Sequence, residues 1–438
     1  MRIGLKVLFG LFLLCAVSAV WAGGSKEKAE PKVQGPTEIT IWDFKYGDVQ
    51  GVQPAMKKID DLIMQTNPGI KINHVGQSND NYYQLVRAAV QAGQGPDIVM
   101  FHGGVQAYEF DDYTIEMNNY IASWRSEISE FSWAYCSASG DAAKPVHMVP
   151  LTTQGFGIYY NKELFKKAGL DPDKAPSDLD AFMAACEKLK KAGIVPITAG
   201  LQGSPFTVDF LFRCLIANIY GPDSKDLGTG KQNFQGNASF KRATEIMMEL
   251  FKKGYIDPAG TSTPYFMDGI NNFAAGKGAM FVGLLSDVGH WKAFGDGLGK
   301  DNVGYFPTIN FPEAKYKNQQ VGQPAGIGYS VMKWSKNPDA AMKVIEGYAR
   351  GEGNAVWMGM TGALSPNKKV DIKSLGYPLV AEILQRPFVI DFNTLLLNED
   401  ANGNFDRYCA QAFVSNEVSL DMFVESVQGM LDNKKNAK

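Results

Sequence analysis

Histidine, the side chain that most often moves protons or holds metals near neutral pH, occurs at His74, His102, His147 and His290. These positions are too scattered for an HxxxH or Cys/His ligand spacing. "GTGKQ" at 228–232 lacks the first Gly of a phosphate-binding loop and carries Gln232 where Ser or Thr would reach magnesium. "AAGKGAM" fails in the same way, no GxGxxG leads from a strand into a helix, and no GxSxG occurs. "DANGNFD" at 400–406 imitates a calcium loop, but Phe405 takes the place of its sixth-position Gly and Gln411 that of its closing Glu. Carboxylates are plentiful, yet sequence pairs none of them for acid–base work. The expectation is a chain that is not an enzyme and has neither metal nor cofactor.

What remains is the chemistry of non-covalent capture. In "GQGPDIVMFHGG" (93–104) the turn signal Gly95-Pro96 precedes an apolar run, Ile98 to Phe101, with the length of a buried strand. His102 and the bare backbone of Gly103 and Gly104 follow at once. Ligands of open α/β sheets sit at the carboxyl ends of strands, so this strand end is a candidate site.

The elements needed to hold it are legible. "EITIWDF" (38–44) alternates as a strand does, residues 53–65 carry apolar groups at helical spacing, and Asn67-Pro68-Gly69 stops them. "IKINHV", "NYYQLVRAAVQAG" and "DIVMF" continue as strand, helix and strand, an order that predicts a parallel sheet with helices on its faces. After Met148 the pattern resumes: strand "GFGIYYN", helix "KELFKKAG", and helix "DLDAFMAACEKLKKAG" after Pro176-Ser177-Asp178. Strand "VPITA" comes next, then a helix over 239–253 closed by Gly254, and strands "GAMFVG" and "GIGYSVM". No fixed repeat is visible.

At 438 residues the chain has room for two or three cores. A charged fraction of 20% and a net charge of −3 give no basic footprint for nucleic acid. Arg2 and Lys6 precede an apolar stretch from Val7 to about Val17, and Val20-Trp21-Ala22 precedes Gly23, the pattern of a cleaved export signal over 1–22 with a flexible leader over 23–36. Tethering stays open: Cys15 is a lipidation candidate, although Phe12-Leu13-Leu14 are bulkier than the usual acceptor context. Cys136, Cys186, Cys214 and Cys409 allow three full disulfide pairings that sequence does not rank.

"YYNKELFKKAGLDPDKAPSDLDAFMAACEKLKKAGIVPIT", "LFKKGYIDP", "FAAGKGAMFVG" and "SKNPDAAMKVIEGYA" together resemble family 1 extracellular solute-binding proteins of ABC importers, the group that includes maltose-binding protein. The resemblance runs over about residues 37–430. It implies an α/β, two-lobed periplasmic binding protein of type II (a Venus flytrap) with a hinge crossed several times and a cleft between lobes. The N-terminal lobe would hold 37–148 and 326–362 and the C-terminal lobe 149–325 and 363–438. The crossings would lie near Val149-Pro150, Pro324–Gly328 and Thr361–Ala363.

By the same resemblance, Phe101 would stack on the apolar face of a sugar ring, with His102 and Gly103 serving its hydroxyls. Gln154 follows the first crossing, and an amide that both donates and accepts suits a neutral polyol. Phe206 would be a second platform, with Gln202 and Ser204 beside it. Asp43, Phe44 and Tyr46 leave the first strand, and Asp287, Gln323 and Phe405 complete the set. One departure is plain: the Trp expected after the "GAM" strand is replaced by Leu284–Asp287, and Trp291 comes too late. The implied function is an extracytoplasmic, monomeric receptor that hands a sugar or polyol to membrane permease subunits. The alternatives are an anionic solute, a sugar phosphate or uronate held with help from Lys45, and an exported carbohydrate-active enzyme.

Overall fold

A computed structural model of the chain describes residues 35–438 except 49–51, 79–80, 134, 137–143, 203–205, 225, 228–230, 264, 286–289, 324, 372–378, 380–382, 384–385, 387, 392–404 and 437–438. The expected export signal and most of the leader lie outside the described residues, as do Ser204, Asp287 and most of the calcium-loop imitation.

The first sheet begins with β1 (Thr37–Asp43), in which Ile39, Ile41 and Asp43 are buried and Glu38, Thr40 and Trp42 are not. The exit of β1 turns into the short helix α1 (Lys45–Asp48). In α2 (Val52–Thr66) the buried Ala55, Met56, Ile59, Asp60 and Ile63 form one face at helical spacing. β2 (Ile70–Gly76), α3 (Tyr82–Ala92) and β3 (Ile98–His102) follow in the expected order. β1 pairs in parallel with both β2 and β3.

The sheet is not parallel throughout, as the local order predicted. β10 (Ile327–Val331) arrives from far along the chain and pairs antiparallel with β3, Ile327 opposite His102 and Gly328 opposite Phe101. β4 (Val149–Pro150) then pairs antiparallel with β10, giving the order β2-β1-β3-β10-β4. A crossover from so distant a segment leaves no mark in the alternation of β1 to β3. Two later helices, Pro338–Ala349 and Gly351–Thr361, return to the core of this sheet.

The second sheet is built on β5 (Gln154–Asn161), antiparallel to β7 (Gly278–Leu284), β8 (Val303–Phe306) and β9 (Gln320–Gln323). β6 (Val195–Ile197) pairs in parallel with β7, and β11 (Phe388–Ile390) with β9. Alternation along β5 sends Phe156, Ile158 and Tyr160 into one core, with helices Leu179–Lys191, Phe206–Tyr220 and Ala238–Lys252. Tyr159 faces the other, among Phe273, Phe281, Trp291, Phe294 and Tyr305. Asp178 caps helix Leu179–Lys191 by accepting from the Ala181 N–H at 2.9 Å, and Asn237 caps helix Ala238–Lys252 by accepting from the Phe240 N–H.

Three stretches of backbone run side by side between the sheets. The Leu151 N–H donates to the Ile327 carbonyl (2.9 Å), the Gly326 N–H to Thr152 (2.8 Å) and the Thr153 N–H to Leu364 (2.7 Å). The stretch at 364 is then clasped onto the first sheet's side. Glu127 accepts from Arg350 Nε (3.0 Å) and Lys369 Nζ (2.8 Å), and the Ser129 N–H donates to Pro366. Hydrogen bonds from Arg350 and Lys369 hold the Glu127 carboxyl down at about 2.

Cys136, Cys186, Cys214 and Cys409 are buried and unbridged, and burial pushes each thiol well up. Among the described residues no helix is long and apolar enough to cross a membrane.

Candidate functional site

The carboxyl end of β3 lies directly on the inter-sheet backbone. The Gly103 N–H donates to the Gly326 carbonyl at 3.0 Å, and a Cβ on Gly103 would stand 2.1 Å from the Ala325 oxygen. Only glycine permits that approach. On the other side, a Cβ on Gly326 would lie 3.1 Å from the Gln154 Cβ, and Gln154 pairs with Gln323 at the start of β5. The end of β3, which carries the half-buried His102, and the start of β5, which carries the half-buried Gln154, therefore both abut the same crossing stretch at Gly326.

His102 is fixed there. Its ring stacks on Phe44 at 4.4 Å, and its Nδ1 lies 2.8 Å from the Tyr83 hydroxyl, which also accepts from the His102 backbone N–H at 3.1 Å. Tyr46, half-buried in α1, stacks on His74 with ring centroids 4.1 Å apart and planes 16° apart. Gln202 is exposed, with its N–H on the Thr263 carbonyl at 3.3 Å. Phe206 opens helix Phe206–Tyr220, and Gln323 ends β9.

Five expectations need correction. Phe101 is wholly buried, stacked on Phe110 at 4.9 Å, because β3 is covered on both faces and only its last residue emerges. Phe44 is a core residue at the edge of Tyr82 (4.9 Å). Phe405 lies in the second core beside Phe212, with the Arg213 guanidinium 5.8 Å from its ring centre. Gly103 spends its N–H on Gly326 rather than on a guest. Asp43 has no exposed surface, and both of its oxygens are committed inside the protein.

Asp43 belongs to a network that sequence reading did not find. Its Oδ1 accepts the Lys45 and Tyr46 N–H groups (2.6 and 3.0 Å) and its Oδ2 the Tyr329 hydroxyl (2.6 Å). His74 Nε2 stands 3.3 Å from the same Oδ2, while His74 Nδ1 stands 2.9 Å from Asp60 Oδ2. Tyr348 donates to Asp60 Oδ1 at 2.6 Å. Burial alone would lower His74, but its bonds to Asp43 and Asp60 outweigh that and raise it to about 9.

The second sheet has a counterpart. Arg213 Nε donates to Asp209 (2.8 Å) and Nη1 to Asp391 (2.9 Å), and Nη2 lies 3.7 Å from Asp406. Asp391 follows β11, and its N–H reaches Gly322 opposite Gly155, next to the Gln154 end of the sheet. Burial raises both Asp209 and Asp406, so this pair holds a proton to higher pH than free carboxyls do. A signal for both networks was present in the sequence. Asp43 continues the inward series Ile39, Ile41, Asp60 interrupts the apolar face of α2, and Asp209 and Arg213 stand four apart in an otherwise apolar helix.

A family description matches residues 46–354, that of the bacterial extracellular solute-binding protein. The chain belongs to this family. It is 26% identical over 349 residues to the multiple sugar-binding protein of Streptococcus mutans, covering 79% of this chain and 77% of that one. It is 24% identical over 366 residues to the sn-glycerol-3-phosphate-binding periplasmic protein of Shigella dysenteriae, covering 76% and 75%. It spans 58% of the length of an ABC transporter extracellular-binding protein from Pyrococcus horikoshii, at 25% identity. In fold it is similar to a chitin oligosaccharide binding protein, with a TM-score of 0.79, 22% identity, and coverage of 92% of this chain and all of that one. The shared fold is the two-lobed α/β architecture of periplasmic binding proteins.

Proposed function

We propose that the chain is an extracytoplasmic receptor that captures a neutral sugar or polyol between its two sheets and delivers it to an ABC import permease. The observation that carries this reading is that the β3 end with His102 and the β5 start with Gln154 both pack on the crossing stretch at Gly326. An imidazole at one strand end and an amide at the other are group types suited to hydroxyls of a single guest. Tyr46 supplies an aromatic face at the first sheet's edge, and Gln202, Ser204, Phe206, Asp287 and Gln323 complete the second sheet's contribution. The lobes on this reading follow the expected bounds, with Val149–Pro150 joined to the first sheet. Residues 1–22 direct export, and the mature chain works as a monomer without catalysing a reaction.

A guest that touches both lobes favours the closed arrangement by its differential affinity, and the permease reads that arrangement. Micromolar capture corresponds to about −8 kcal/mol.

Thermal unfolding of residues 23–438 with maltotriose, xylotriose, chitotriose and sn-glycerol 3-phosphate tests the proposal. A neutral oligosaccharide should raise the midpoint, because it binds only the folded form. Gln154→Ala and His102→Ala should each weaken that oligosaccharide about tenfold, the value of one or two lost polar contacts. A shift with none of the four probes would sink the receptor reading. A second reading, capture of an anionic polyol, is favoured by the Shigella relative and by Lys45 at the β1 exit. A midpoint shift with sn-glycerol 3-phosphate alone would select it.

A further inference from the structure

We propose that His74 is a positioning residue for capture: locked between Asp43 and Asp60, its ring fixes the β1 exit and backs the Tyr46 face presented to the guest. The proposal rests on the receptor reading, in which that exit lines the site.

Geometry sets the charge. Each nitrogen of the His74 ring lies within hydrogen-bond reach of a carboxylate oxygen, at 3.3 Å and 2.9 Å. Ionised carboxylates only accept, so satisfying both contacts requires a proton on each nitrogen. The side chains of His74, Asp43 and Asp60 are almost wholly out of solvent, where a lone-pair contact with a carboxylate is not screened.

The network then couples this proton to the site. Asp43 is the residue whose Oδ1 gathers the amides of Lys45 and Tyr46, and so sets the start of α1. The ring of Tyr46 lies flat on the imidazolium at 4.1 Å, a cation against an aromatic face. The groups that face His74 are Asp43 on β1, Asp60 on α2, Tyr46 on α1 and Tyr348 on helix Pro338–Ala349 (3.4 Å). Tyr329 on β10 reaches it through Asp43, Asp61 acts on Tyr46, and Tyr82 on α3 senses Asp43. These groups are all carboxyls or phenols, and Lys45, next to Tyr46, holds its ammonium over the Phe44 ring at 5.4 Å. Loss of the proton near pH 9 leaves one N–H for two carboxylates. One of the two contacts must open, and the seat of Tyr46 opens with it.

The test is calorimetric titration of maltotriose, xylotriose, chitotriose and sn-glycerol 3-phosphate into residues 23–438 at pH 7 and pH 10. Whichever probe binds should lose about tenfold in affinity to the wild-type protein across that interval. His74→Gln, which has no proton to lose in this range, should bind about tenfold more weakly at pH 7 and change little by pH 10. Its own slope also reads the background from lysines and tyrosines. By linkage the bound probe should raise the His74 ring pKa, followed by nitrogen NMR, by about one unit for a tenfold coupling. That measurement needs no variant, so a misfolded His74→Gln does not block it. Equal affinity at both pH values, or a ring pKa indifferent to saturating probe, would overturn the proposal. Should no probe bind, the receptor reading is what fails. The Tyr46 ring resonances then decide: they should move with the His74 midpoint, and static resonances would end the positioning role.

Discussion

Beside the site the first sheet keeps a buried imidazolium, His74, between two carboxylates, whereas the second keeps a buried guanidinium, Arg213, among three. The two cations answer different needs. Imidazole offers two donors at opposite sides of a small ring, enough to join one strand to one helix, and its proton can leave within an ordinary range of pH. Guanidinium offers a rigid fork of five donors and keeps its charge. That suits the second sheet, where Asp209, Asp391 and Asp406 come from three separated segments. The lesson is that one sheet is tied to its neighbouring elements by a removable charge and the other by a permanent one.

The sharpest way to break this contrast is Arg213→Leu. It strands the buried carboxyls of Asp209 and Asp391 and leaves the partly exposed Asp406 without its cation, and a loss of roughly 3–5 kcal/mol is expected, read from urea unfolding at pH 7. A cost below about 1 kcal/mol would mean the fork is dispensable and the contrast empty.

His74→Gln should cost less, on the order of 1–3 kcal/mol, and its cost should depend on pH. The ring is raised in the folded state, so its contribution is full below about 6.5 and is lost as pH rises towards about 9. Wild type and variant should therefore converge in stability on the alkaline side. Parallel stability curves from pH 6 to 10 would contradict the charge assigned to the ring.

Glu127→Gln gives the smallest effect, about 1 kcal/mol, since Arg350 and Lys369 are partly exposed. Here the sign is opposite. The carboxyl is lowered from 4.5 to about 2, so its contribution is present above pH 4.5 and fades as pH falls through 2. Acid unfolding monitored by circular dichroism should show that step in wild type and lack it in the variant.

Sequence periodicity located the strands and main helices well, because each buries a face of its own. "EITIWDF" became Thr37–Asp43, and the helix read at 53–65 became Val52–Thr66. Pairing between distant segments was not legible: nothing local to Ile327–Val331 says that it lies against β3 in the opposite sense. For the site, strand ends were the right place and side-chain direction the wrong detail. Val99 and Phe101 point to one core and Ile98 and Met100 are buried too, so His102 alone carries β3 into the open. Asp43 was read as a ligand group because it is polar at a strand exit. Its inward phase after Ile39 and Ile41 says instead that it must find partners inside.

The four buried thiols bear on how this receptor is handled. With these four unbridged and buried, they ask for no oxidase, and the chain should assemble as well under reducing as under oxidising conditions. A cysteine introduced at exposed Gln202 would then stand as the reactive thiol of choice for a fluorophore, which makes that position a place to attach an optical reporter.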